Sequence, residues 1–246
     1  MRPLPAGLTI LMLAASLIAE PPGRILDLGH PLSESDPTWS GAEAFSRSGT
    51  TGVGFAMGKF SADEHFGTHL DAPVHAGGTW TTDQIPVARL MRPAVCLDIQ
   101  DAVAKDEDYR LTVEDILHFE ARAGRIAEGA VVLVATGWDR RWPDRARYMN
   151  ERDGVKHFPG LSVAAASLLA RERKVAGIGI DTPSVDHGPS VKFEVHHTTM
   201  PENVYHIENA ANLTKLPAAG FRVLVAPINL AGGSGGPTRL FAVLGE

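Results

Sequence analysis

His65-Phe66-Gly67-Thr68-His69-Leu70-Asp71-Ala72-Pro73-Val74-His75 places three histidines and an aspartate within eleven consecutive residues of a 246-residue chain that has ten histidines in all. Regular backbone cannot bring these groups to one point. In a helix, His65 and His69 would share a face, but Asp71 would point about 200° away from His69. In a strand all four would share a face, yet His65 and His69 would stand about 13 Å apart at ~3.3 Å per residue. Metal bonding requires approaches of about 2.0–2.2 Å. A bend is therefore expected, and Gly67, midway between the two histidines, is the residue that can supply it. Pro73 is expected to stop a helix from propagating and to fix an extended exit toward His75.

Two imidazoles and a carboxylate, His65, His69 and Asp71, make a mixed nitrogen and oxygen site that suits Zn²⁺, Mn²⁺ or Fe²⁺ and not the oxygen-only preference of Ca²⁺. Three protein ligands leave positions open for water, which is the catalytic pattern of metal binding. An ion there lowers the pKa of bound water from about 15.7 to about 7 and polarises a carbonyl. His75, with an ordinary imidazole pKa near 6.5, is the candidate proton shuttle.

The rest of the chain frames this segment. With 44% hydrophobic and 21% charged residues, it is long enough to bury a substantial core as one domain. A net charge of -6 and scattered Lys and Arg give no basic surface, which argues against nucleic acid as a partner. The single cysteine, Cys96, sits in the apolar run Ala94-Val95-Cys96-Leu97-Asp98-Ile99; it reads as a buried strand position and supports neither a disulfide framework nor a thiolate zinc site. Residues 1–19 have the layout of a secretory signal peptide: Arg2, an apolar stretch from Leu8 to Ile18, and small residues up to Ala19 before Glu20-Pro21-Pro22. The apolar stretch is about half the ~20 residues a membrane span needs, so export without an anchor is expected, with residues 20–246 as the mature domain. An N-terminal arm on a cytoplasmic enzyme is the competing reading.

From Arg24 onward, short apolar runs alternate with amphipathic stretches, the pattern of an α/β unit. Strands are predicted over Ile25 to Leu28, Gly52 to Phe60, Val95 to Ile99, Val131 to Thr136, Val175 to Ile180, Val204 to Ile207, Val223 to Pro227 and Leu240 to Leu244. Several are almost entirely apolar, as strands covered on both faces are. A helix is predicted to begin after Thr112, with Asp115 completing the cap and Leu111 stapling onto Ile116. A second is predicted from Leu161 to Arg171. Long loops are expected around Asp101 to Tyr109, Trp138 to Gly160 and Thr182 to Glu194, where substrate contacts usually lie.

The segment His65 to His75 resembles the signature of the metal-dependent cyclase family, which includes bacterial kynurenine formamidase and isatin hydrolase: His-x-Gly-Thr-His-x-Asp-Ala-Pro-x-His, matched at every fixed position. The resemblance extends through Ile25-Leu26-Asp27-Leu28-Gly29-His30-Pro31-Leu32, Thr136-Gly137-Trp138, Gly179-Ile180-Asp181-Thr182 with Ser184 and Asp186, and a C-terminal half containing His196 and Glu208. It implies a compact α/β body of the swivelling β/β/α type, a central mixed, barrel-like sheet with peripheral helices, assembled as a homodimer or homotetramer. It also implies one or two ions per subunit, Zn²⁺ or Mn²⁺. His65, His69 and Asp71 would hold the first; Asp71 would bridge to a second held by His196 and Glu208. His206, on the same strand face as Glu208, reads as a neighbour of the ligands or an exposed residue.

The implied chemistry is hydrolysis of an amide, an N-formyl aryl amine or a cyclic amide such as isatin, by water activated at the metal, with His75 passing the proton toward the leaving nitrogen. The substrate is then a small aromatic molecule, with Trp39, Phe66 and Trp80 as stacking candidates. The stretch Gly232-Gly233-Ser234-Gly235-Gly236-Pro237 lacks the GxxxxGK[ST] phosphate pattern and reads as a tight loop beside the pocket, with Ser234 a substrate contact. The export signal and the stretch Asp186-His187-Gly188-Pro189-Ser190 favour the isatin-hydrolase-like branch, whereas a retained Glu208 favours the full two-metal site. A cyclase or dehydratase using the same ions on another carbonyl compound is the first alternative. An exported metal- or ligand-binding protein without turnover is the second.

Overall fold

The computed structural model describes residues 23–52 and 54–245. The signal expected over residues 1–19 lies outside them. Among the described residues no helix is long and apolar enough to cross a membrane.

Among the described residues twelve strands run in chain order as β1 (Ile25–Asp27), β2 (Phe45–Gly52), β3 (Phe55–Ala62), β4 (His69–Asp71), β5 (Met91–Asp98), β6 (Arg110–Leu111), β7 (Val131–Ala135), β8 (Gly160–Leu161), β9 (Gly177–Ile180), β10 (Tyr205–Glu208), β11 (Phe221–Pro227) and β12 (Gly235–Leu244). Five α-helices accompany them: α1 (Gln100–Val103), α2 (Val113–Ala123), α3 (Arg145–Met149), α4 (Val163–Ser167) and α5 (Glu194–Thr199). Strands β12, β11, β5, β7, β9, β10 and β4 neighbour one another in that order, and β4 pairs back onto β12 to close a barrel. The pairs β5–β7, β7–β9 and β9–β10 are parallel and the others antiparallel, so the barrel is mixed as expected.

Burial explains the barrel. Val131-Val132-Leu133-Val134-Ala135 is buried at every position, the mark of a strand covered on both faces. Leu133, Tyr205, Ile207, Leu70, Val223 and Leu240 belong to the core inside the barrel. The alternate residues Val132, Val134, Ile178 and Ile180 meet Ile116 of α2, Ala165 of α4, and Leu168 and Leu169 just after α4 on the outside. Each fully buried apolar side chain of this size contributes about 1.5–3 kcal/mol. Strand parity then fixes the site: because Leu70 and Ile207 point inward, His69, Asp71, His206 and Glu208 lie on the outer face.

The α2 cap forms as read, with the Thr112 hydroxyl accepting from the Asp115 backbone N–H and Asp115 accepting from the Thr112 N–H. Three local readings need correction. The strand expected over Gly52 to Phe60 is a hairpin, in which Gly52 pairs with Phe55 and Phe45 with Ala62. Its two arms are exposed along most of their length, so Ser46, Arg47 and Ser48 carry no apolar alternation by which the first arm could be recognised. The helix expected from Leu161 begins at Val163, capped by the Ser162 hydroxyl, and widens into a π-turn over Leu168–Glu172. After Pro73 the chain is not extended: Pro73–Ala76 is a 3-10 turn with Pro73 in its first turn, where a missing N–H costs nothing.

Candidate metal centre

The bend predicted at Gly67 is present, with φ of +62°. A Cβ there would also stand 2.4 Å from Leu32 Cδ2. Downstream of the bend, β4 presents His69 and Asp71 on one face, and upstream it returns His65 to the same point. His65 Nδ1 lies 2.6 Å from Asp71 Oδ1, and His69 Nε2 lies 3.1 Å from that oxygen. Strand β10 pairs with β4 so that Glu208 faces His69, and His69 Nε2 to Glu208 Oε2 is 3.6 Å. Helix α5 brings His196, whose Nε2 is 3.5 Å from Asp71 Oδ2 and 3.4 Å from Glu208 Oε1. The structure thus brings together all five residues expected to ligate metal.

Their outer hydrogen bonds assign the tautomers. His69 Nδ1–H donates to the Gly67 carbonyl at 2.9 Å, and His196 Nδ1–H to the Asp186 carboxylate at 2.7 Å. Both Nε2 lone pairs therefore face carboxylates. On His65, Nε2 lies 3.0 Å from Ser234 Oγ, whose own proton is committed to Glu64 Oε2 at 2.6 Å. His65 Nε2–H is then the donor, and Nδ1 meets Asp71 as an acceptor. Lone pairs and carboxylates converging in this way require a proton or a cation between them, and rings tied back to a carbonyl, a carboxylate and a hydroxyl are what metal-ligating histidines show. Among the described residues Asp71 Oδ2, which is buried, has no hydrogen-bond partner. The mixed nitrogen and oxygen donor set fits a divalent metal ion.

The electrostatics agree. Burial would depress the His69 imidazole, but the Asp71 and Glu208 carboxylates outweigh it and push its pKa up to about 9. His196 is likewise pushed up to about 10 against burial, by Asp186, Asp71 and Glu208. Burial and the neighbouring Asp71 charge raise the Glu208 carboxyl, whereas the imidazoles hold Asp71 well below the usual range despite its burial. A divalent ion between them would stabilise both carboxylates in the charged form.

His75 is exposed and lines the cavity beside the centre. Its ring centroid is 4.1 Å from that of His65 and 5.8 Å from that of His196. Desolvation, with the neighbouring imidazoles, lowers its pKa to about 4 against the pull of Asp71, so it is a neutral proton acceptor at pH 7.

A cavity of about 820 Å³ opens over the centre, with Trp39, Phe66, Met149 and Phe193 among its apolar walls. Trp39 and Phe66 both line it, Phe66 held by a parallel stack on Phe45 with centroids 5.3 Å apart. Trp80 is not in the cavity: it packs against the barrel core, with the Arg89 guanidinium 5.2 Å above its ring. Ser234 does not line the cavity either; it orients His65. The next residue, Gly235, serves close approach, since a Cβ there would stand 2.7 Å from His65 Cε1 and 2.9 Å from the Leu70 carbonyl oxygen. Glu64, Met149 and Phe193 escaped the sequence reading; the adjacency of Glu64 to His65 was the one available signal. His206 is fully buried, not exposed.

Activating water against a carbonyl is the work such a ligand set does beneath an apolar cavity, and the class is that of the metal-dependent hydrolases. The family model Cyclase, described as "Putative cyclase", matches residues 26–187. Isatin hydrolase of Roseibium aggregatum is 33% identical over 199 residues, covering 77% of this chain and 75% of that protein. Kynurenine formamidase of Salinibacter ruber is 25% identical over 223 residues, covering 87% and 95%. The solved structure of isatin hydrolase A from Ralstonia solanacearum superposes with a TM-score of 0.84 at 34% identity, covering 90% of this chain and 92% of that one. The chain belongs to the cyclase family, and its relatives there indicate an amide-cleaving hydrolase.

Proposed function

We propose that this protein hydrolyses the amide bond of a small aromatic substrate, a cyclic amide such as isatin or an aryl formamide, with Zn²⁺ or Mn²⁺ held in one or two sites. The observation that carries the reading is the convergence of His65, His69, His196, Asp71 and Glu208 on one buried point below the cavity. When bound, the metal supplies Lewis acidity toward the carbonyl and a lowered pKa for water. The chain's own residues do the rest. Trp39, Phe66 and Phe193 offer apolar surface to an aromatic ring. Neutral His75 is placed to take a proton from the attacking water and return it to the leaving nitrogen. Similarity to isatin hydrolase supports the cyclic-amide branch, as does the apolar N-terminal stretch, from which we propose export and removal of residues 1–19. A homodimer or homotetramer is the proposed assembly, on the family resemblance alone.

The test is metal removal and return. Chelator-treated protein is expected to lose turnover of isatin or N-formylkynurenine and to regain it with Zn²⁺ or Mn²⁺. Undiminished turnover in protein shown by elemental analysis to be metal-free would reject the reading.

A further inference from the structure

His206 has no assigned role in the site described above, yet its surroundings are those of a ligand. It lies on β10 directly opposite Asp71 of β4, two residues before Glu208 and on the same strand face, and it is completely buried. The Thr199 hydroxyl donates to the Val195 carbonyl at 2.9 Å and stands 2.7 Å from His206 Nε2. With its proton already committed, Thr199 Oγ1 can only accept, so His206 carries its hydrogen on Nε2 and a lone pair on Nδ1. Among the described residues that Nδ1, which is buried, has no hydrogen-bond partner. Asp71 Oδ2, the oxygen that faces His196, likewise has none. One ligand atom each from Asp71, His196, His206 and Glu208 lies within 4.8 Å of all the others, and all four residues are buried. A buried acceptor left without a donor is costly unless something else meets it, and a neutral imidazole with its other nitrogen tied down is what a divalent ion selects.

We propose that His206 is a further protein ligand of the second ion, through Nδ1, so that this ion is held by Asp71, His196, His206 and Glu208. The proposal rests on the two-ion reading of the centre. It divides the work unequally. Two nitrogens and two carboxylates would supply four protein ligands to the second ion, leaving water to bind at the ion that His65, His69 and Asp71 would hold.

The experiment compares wild type with His206→Gln and His206→Leu, each stripped and titrated with Zn²⁺ against a chromophoric chelator, with ion content measured by elemental analysis. Glutamine reaches the Nε2 position and can keep the bond to Thr199 while removing Nδ1. Wild type is expected to take up two ions. Both variants are expected to keep the first at wild-type affinity and to bind the second about 10–100-fold more weakly or worse. Unchanged second-site affinity in the folded variants overturns the proposal, and so does a wild type that binds one ion only. A wild type that binds none fails at the earlier step, the metal reading itself. Should neither variant fold, nitrogen-15 NMR of wild type decides the matter: the His206 Nδ1 resonance moves with the second equivalent of Zn²⁺, and a resonance that stays in place overturns the assignment.

Discussion

His75 and the ligand histidines differ in what their second nitrogen does. His69 and His196 are each tied through Nδ1 to a carbonyl or a carboxylate, and His65 through Nε2 to Ser234. His75 instead stands at the rim with its imidazole driven neutral. A group placed to move protons and not to hold metal should separate the two properties on truncation. His75→Ala is expected to lower kcat by ~10²–10⁴-fold while elemental analysis finds wild-type ion content; loss of metal together with activity would make His75 a ligand instead. The signature residues were legible because their spacing is local, and the geometry of Gly67 followed from asking how they could meet. His196 and Glu208 were reached only through the family resemblance, since no periodicity ties them to a segment more than a hundred residues earlier. Ser234 lies beside the centre, where its hydroxyl meets His65 and Glu64, partners that only the fold sets. Trp80 packs against the barrel core for a related reason: composition marks an aromatic as useful without saying which surface of the fold its loop turns it toward.

The apolar runs located every strand of the barrel except β4, whose three residues carry their chemistry in place of a hydrophobic pattern. That short strand depends on the turn before it. Gly67→Ala adds a Cβ 2.4 Å from Leu32 Cδ2 at a residue with φ of +62°, a conformation that alanine adopts only with strain. Leu32 can yield at its tip but the backbone cannot. The variant is expected to unfold about 1–2 kcal/mol more easily in urea, and to bind Zn²⁺ more weakly because His65 and His69 leave the bend in different directions. Unaltered metal affinity would show that the bend is incidental to the centre. The β2–β3 hairpin was read as a single strand for the opposite reason: apolar alternation reports burial, and an arm open to solvent does not display it.

At the scale of the whole molecule, sequence periodicity established an α/β body but not its closure, which depends on β4 meeting β12 across more than 160 residues. The molecule also carries a weakness in acid, at a half-buried histidine outside the barrel pairing. His30 stacks on Trp142 with ring centroids 4.3 Å apart, and its buried Nε2 has no hydrogen-bond partner. Desolvation lowers its pKa from 6.5 to about 4 despite the pull of Asp139 and Asp27. A depressed histidine takes its proton first in the unfolded chain, so the stability it contributes is full above pH 6.5 and is lost as the pH falls from there to about 4. The loss is at most roughly 3 kcal/mol. His30→Phe, which keeps the stack, is expected to flatten that acid limb in urea melts at successive pH values; limbs of equal slope would assign the sensitivity to other groups. The same closure bears on how the centre is filled. β4 is bonded along both edges, to β10 and to β12, so its two ligands are carried by the hydrogen-bonded wall of the molecule and not by a loop that an ion must gather. Metal uptake is then a docking event onto a finished surface, its speed set by the ion shedding water in the cavity and not by refolding of the chain around it.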